Sequence, residues 1–247
     1  MSARKVIRVT GEEQVDFLNN LVTNDVKKLK DGLVWAALLN PQGKYLADFF
    51  LVPADDAILI DVAASLASDL MRRLSMYKLR AKVVLEDTNI AVSRGPGAVP
   101  EGAFADPRHP SLGWRAYDGR PSAEADWEAL RVAACIPDSG VELVPGESYP
   151  LEMRFEALNG VDFKKGCYVG QEVTARMKHK AELRKGLAQV RVEGEAPAGT
   201  DIMTLDGKTA GTLFTQSNGL GLAYLRFDRA SGDLLAGNER VRIVAQP

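Results

Sequence analysis

The amino-acid sequence predicts an α+β fold: a mixed N-terminal body, with a small antiparallel β-barrel at the C-terminus. Three observations carry this. Apolar residues recur at helical spacing in two stretches of the first eighty residues, and apolar runs joined by a Pro/Gly turn lie between those stretches. After Arg184, five short extended runs follow one another in about sixty residues, separated by glycine-bearing turns, which is how a small barrel reads. With 247 residues, one core is near its ceiling, so two modules are expected: a body over residues 1–185, containing a Gly/Pro-rich variable segment at 95–121, and a barrel over 186–247.

The elements follow in order. Thr10-Gly11-Glu12-Glu13 has the form of a capping box and predicts a helix starting near Gly11, with Val15, Leu18, Leu21 and Val22 as its buried stripe. Leu33 to Leu39 and Tyr45 to Val52 form a hairpin about Asn40-Pro41-Gln42-Gly43, where Pro and Gly supply the turn. Ala57 to Val62 reads as a strand, and Ala64 to Met76 as a helix with Leu66, Leu70 and Leu74 on one face. Arg80 to Glu86 and Ile90 to Ser93 read as extended. Five prolines and five glycines between Gly95 and Pro121 predict sparse regular structure there. Ser122 caps an expected helix running through Cys135. The barrel strands are expected at Leu187 to Val192, Asp201 to Leu205, Thr209 to Thr215, Leu220 to Phe227 and Arg240 to Val244.

Composition narrows the function. With 46% hydrophobic and 26% charged residues the chain is globular, and a formal charge of -2 argues against a nucleic-acid coat, so nucleic acid is not an expected partner. No apolar run approaches the roughly 18 residues of a spanning helix, and the start lacks a signal-peptide centre; a cytoplasmic location without a membrane partner is expected. Two cysteines and two histidines supply neither a disulfide framework nor a metal site.

The densest cluster of informative residues runs from Asn159 to Arg176. Gly166 and Gly170 bracket Cys167 and Tyr168 and let the backbone turn before a helix from Gln171 to Met177. Lys164, Lys165 and the approaching helix terminus favour the thiolate, which makes Cys167 a candidate reactive thiol; Cys135, at the end of an apolar stripe, reads as core. Residues 164–185 hold seven Lys/Arg against two acids, a positive stretch suited to an acidic partner, to RNA phosphates or, most commonly, to a solvated helix face.

Lys165-Gly166-Cys167-Tyr168-Val169-Gly170-Gln171-Glu172 resembles the K-G-C-Y-x-G-Q-E signature of the YgfZ family, including its IBA57-type members, which are relatives of the glycine cleavage T protein, a folate-dependent aminomethyltransferase. The resemblance covers most of the chain. Leu21-Val22-Thr23-Asn24-Asp25 looks like the T-protein first helix and its T-N-D turn, and Asn40 to Lys44 with Ala47-Asp48 is similar to the hairpin that follows.

This resemblance implies a T-protein-like, three-part fold around a central folate pocket, tetrahydrofolate or a reduced derivative as ligand, and a role in iron–sulfur protein maturation or repair alongside assembly proteins or client enzymes. It implies catalytic roles for Cys167 and Asp48, and a folate-binding set of Asn24, Asp48, Glu152, Lys165, Gly166, Tyr168, Gly170, Gln171 and Arg176. Glu152 matches a proline-leucine-glutamate element of the superfamily. Ala133, in Leu130-Arg131-Val132-Ala133, stands where T proteins carry a pterin-holding glutamate, which sets the chain apart from glycine-cleavage enzymes; a folate-dependent one-carbon transferase is the alternative reading. Two separated cysteines fall short of the four thiolates a resident cluster takes.

Overall fold

The structure, a computed structural model, describes residues 3–179 and 183–245. Its body is built on a five-stranded antiparallel sheet in the order β2-β3-β4-β1-β5, formed by β1 (Arg4–Thr10), β2 (Val34–Leu39), β3 (Tyr45–Ala54), β4 (Ala57–Ala63) and β5 (Val84–Asp87). The run VWAALL of β2 is buried throughout because both faces of the sheet are covered. Trp35, Ala37 and Leu39 face a core shared with Phe50, Phe155 and Tyr168. Val34, Ala36 and Leu38 face the opposite core, where α1 (Gln14–Asn19) and α2 (Ala64–Lys78) contribute Phe17, Leu18, Leu70 and Leu74.

A second, three-stranded sheet, β6 (Ser93–Gly95), β8 (Trp114–Ala116) and β7 (Phe104–Ala105), occupies the Pro/Gly-rich stretch. Then come α3 (Trp127–Ala133), a long turn-rich segment, and α4 (Gln171–His179). The chain closes in a six-stranded antiparallel barrel ordered β10-β11-β12-β9-β14-β13, with β9 at Lys185–Val192, β10 at Thr200–Thr204, β11 at Thr209–Ser217, β12 at Leu220–Arg226, β13 at Leu234–Ala236 and β14 at Glu239–Ala245. Ala188, Val190, Leu213, Leu225 and Val241 fill its interior, while Leu187 and Leu222 face outward into the body's core.

Several local expectations give way to longer-range contacts. The capping box does not close: α1 starts at Gln14, and the Glu13 carboxylate accepts from the Lys82 backbone N–H at 2.5 Å, sixty-nine residues away. Ser122 is not the cap of α3; Asp126 is, accepting from Ala129 N–H, while Ser122 accepts from Arg94 N–H. Residues 80–83 form a turn rather than a strand, and the strand expected at 90–93 begins only at Ser93. Neither β1 nor β13 was expected; β13 has three residues, too few to show a period, yet it is the strand that pairs with β10 to close the barrel.

Candidate functional site

Three anchors hold the glycine-bracketed loop. The first is the Thr23-Asn24-Asp25 turn. Thr23 Oγ1 donates to Gly160 O at 2.6 Å and accepts from Ala37 N–H, and Thr23 O accepts from Asp162 N–H. Asn24 Nδ2 donates to Trp35 O at 2.9 Å and Asn159 O at 2.7 Å. The turn thus ties β2 to the start of the loop, with Lys28 bonded to Asp162 at 2.7 Å on the surface.

The second anchor is Lys165. Its side chain runs inward past the ring of Tyr168 and its ammonium donates to the carbonyls of Asn19 and Val22 at the end of α1, at 2.6 and 2.5 Å. Burial pulls this amine down to about 8, against the opposing pull of Asp25 and Asp162. The third anchor is Gly170, at φ +84, which lies so close to the β2–β3 turn that a Cβ would meet Asn40 O at 2.7 Å. Tyr168 is buried in the core between these points.

Gly166 and Cys167 are left exposed at the loop's tip, four residues before α4. Of the two lysines expected to polarise the thiol, Lys165 is thus committed to backbone carbonyls, and Lys164 is the exposed one. Gln171 opens α4. Arg176 is paired with Glu172 on the same helix at 2.5 Å, and Lys178 with Glu156 at 2.5 Å, so the positive stretch is partly neutralised; Lys180 and Glu182 lie outside the described residues. Cys135 is buried, with its thiol pushed up to about 11 by desolvation.

Asp48 sits apart from the loop, on β3. Its Oδ1 accepts from Tyr45 OH at 2.8 Å and Ser139 Oγ at 2.5 Å, and its Oδ2 from Trp35 Nε1 at 3.0 Å. Trp35 stacks on Phe155 with ring centroids 4.2 Å apart, and both are fully buried. Sequence reading missed the charge cluster beyond Trp35. There Arg4, Arg108 and Arg115 share the carboxylates of Asp61 and Asp106 and crowd the ring of Phe50, Arg115 at 3.9 Å from its centroid and Arg108 at 4.8 Å. Asp61, fully buried in an otherwise apolar strand, was the one residue that hinted at it.

Glu152 lies at the joint between body and barrel. Its Oε2 accepts from Tyr224 OH on β12, its carbonyl accepts from Leu187 N–H on β9, and burial raises its carboxyl above the usual range. Beside it, Arg131 donates to Glu142 at 2.9 Å and to Thr215 on β11, and Gln189 on β9 donates to the carbonyls of Val132 and Ala133. A cleft of about 630 Å³ opens between α3 and the β11–β12 turn, lined by Glu128, Thr215 and Leu220 among others, and contains none of the expected folate residues.

For reduced folate, the residues present fit in part. Two oxygens of Asp48 accept three bonds, which leaves capacity on Oδ2 for one pterin N–H, while the guanidinium groups on the far side of Trp35 are already shared between Asp61 and Asp106. Access is tight, since Asp48 is 5% exposed and Trp35 fully buried. Asn24, Lys165, Tyr168 and Gly170 serve the loop's anchorage, and the structure does not gather them around Asp48.

Comparison with known proteins adds the context. Residues 184–247 match the family described as CAF17, C-terminal beta-barrel domain. The mouse mitochondrial iron-sulfur cluster assembly factor IBA57 is 30% identical over 99% of this chain and 82% of its own length. The IBA57 homolog of Mycosarcoma maydis, also named mitochondrial, is 32% identical over 74% of this chain and 54% of its own. Among solved structures, the glycine cleavage system aminomethyltransferase T of Bartonella henselae superposes with a TM-score of 0.75 at 14% identity, covering 99% of this chain and 83% of that one. The fold is thus T-protein-like, as the resemblance implied. The expected cytoplasmic location is overturned, because these relatives are named as mitochondrial proteins.

Proposed function

The chain belongs to the family of IBA57 iron–sulfur cluster assembly factors, and from that premise we propose that it acts in the maturation or repair of iron–sulfur proteins by presenting Cys167 to an assembly or client protein, with reduced folate bound in the body. The observation that carries this reading is the placement of Cys167: an exposed thiol at the tip of a loop pinned by Thr23, Lys165 and Gly170. Four thiolates are the usual complement of a cluster, and Cys135 is sealed in the core, so this chain supplies at most one ligand. The cluster is therefore cargo, and the other ligands come from the partner.

The expected result is that Cys167→Ser melts at the wild-type temperature yet fails to restore iron–sulfur enzyme activity in a strain lacking the protein; full rescue would remove the cysteine from the mechanism. The folate part is tested apart from activity, by titrating tetrahydrofolate against the purified chain. Asp48→Asn replaces one acceptor oxygen by a donor, and binding should weaken about tenfold, the worth of one hydrogen bond to a charged group. Unchanged affinity in that variant would move the ligand elsewhere.

The alternative, folate-dependent one-carbon transfer, draws little from the likeness to an aminomethyltransferase, which at 14% identity speaks for the fold alone. Methylene transfer from a carrier, measured with folate bound, separates the two readings.

A further inference from the structure

Three apolar side chains stand out of the surface where α2 ends: Met76 is 63% exposed, Tyr77 40% and Leu79 89%. They lie in the segment 70–83, which carries five cations (Arg72, Arg73, Lys78, Arg80 and Lys82) and no carboxylate, in a chain whose formal charge is -2. Arg72 and Arg73 are paired with Asp69, and Lys82 with Glu12. Lys78 and Arg80, which flank Leu79, meet no carboxylate among the described residues.

The backbone holds Leu79 outward. Its φ of +34 lies in a region that L-residues adopt only at a cost, and strain of this kind persists where surrounding contacts enforce it. Those contacts are visible: Ala81 N–H bonds to Lys78 O and Val83 N–H to Ala81 O, which turns the chain back so that Val83 is buried. Gly11 packs against the carbonyl of Lys82, where a Cβ would meet oxygen at 2.1 Å, so the turn has no room to fold inward.

We propose that this tip is a peripheral contact for an anionic lipid bilayer, with Leu79, Met76 and Tyr77 entering the interfacial region and Lys78 and Arg80 meeting lipid phosphates. Charge complementarity supports the lipid, since basic residues beside an inserting apolar group are attracted to anionic headgroups. Shape supports it too: a protein partner needs about 800 Å² of complementary surface on each side, whereas three projecting side chains, the outermost flanked by two cations, make a small contact of the kind that enters a headgroup layer. No helix among the described residues is long and apolar enough to cross a membrane, and surface binding requires none. The expectation of no membrane partner rested on the spanning criterion, which this contact does not touch.

The test is flotation of the full chain with vesicles of phosphatidylcholine alone and of three parts phosphatidylcholine to one part phosphatidylglycerol. The mixed vesicles should carry the protein and the neutral ones should not, and raising salt should release it as screening shortens the reach of the charges. Leu79→Ser, Leu79→Glu and the pair Lys78→Gln with Arg80→Gln should each lower the bound fraction about tenfold, with melting temperature little changed because Leu79 and Arg80 are exposed and the neutral pair places no carboxylate at the end of α2. Equal partitioning to both vesicle types would overturn the proposal. So would retention of binding by both Leu79 variants, which would mean adsorption by charge alone. Binding to soluble polyglutamate as strong as that to mixed vesicles, and indifferent to Leu79, would also overturn it in favour of an acidic protein.

Discussion

Lys165 shows how one side chain sets the posture of the loop. Its ammonium satisfies two carbonyls at the end of α1, where a helix leaves backbone oxygens without internal partners. The folded chain holds this amine at about 8, against an ordinary value of 10.5. Between those two values the unfolded chain keeps a proton that the folded one has lost, so stability rises with pH across that window and the contribution is gone once pH falls through about 8. Lys165→Met should abolish that rise in a pH series of denaturant melts. It should also speed thiol labelling of Cys167, because the loop loses its inward tether. A variant with the wild-type slope would show that the amine is not held as the geometry indicates. From sequence alone this lysine reads as a neighbour polarising the thiol; its inward course depends on carbonyls more than 140 positions away.

At the scale of the element, the loop and the β2–β3 hairpin form one unit, and two glycines of the same motif have opposite roles in it. Gly170 combines φ +84 with backbone 2.7 Å from where a Cβ would sit, whereas Gly166 has no heavy atom within 4 Å of that point. Gly170→Ala should therefore cost about 2–3 kcal/mol through left-handed strain and contact, while Gly166→Ala stays within about 0.5 kcal/mol of wild type, both read from urea midpoints. Equal losses at the two positions would contradict the packing. The hairpin, α2 and most barrel strands were legible because each carries its own periodicity and turn residues. The capping box at Thr10, the cap of α3 and strands β1 and β13 were not, since Glu13 answers to Lys82, Asp126 replaces Ser122, and both strands owe their identity to partners distant in sequence. The site divides the same way: Cys167 was singled out by its neighbours and Asp48 by the family resemblance, but not that one is exposed and the other sealed beneath Trp35, Tyr45 and Ser139.

For the whole molecule, the question is whether the barrel folds with the body, and the joint decides it. Arg131 and Glu142 are both buried there, with side chains 3% and 0% exposed, and Glu142 also accepts from Asp138 N–H and Thr215 Oγ1. A buried pair of this kind contributes little net stability over apolar residues of the same size, yet removing one partner strands a charge. Arg131→Met alone should cost about 3–5 kcal/mol, because the Glu142 carboxylate is then left in the core with only neutral donors. The loss falls on the contact between α3 and β11, so the barrel should melt apart from the body and calorimetry should resolve two transitions, against the single one expected of the wild type. Arg131→Met with Glu142→Met should recover much of the loss and restore a single transition, since the remaining contacts across the joint, Gln189 to the carbonyls of Val132 and Ala133 and Tyr224 to Glu152, are untouched. A single variant that still unfolds in one step at the wild-type temperature would place the coupling in the apolar contacts of Leu187 and Leu222 instead.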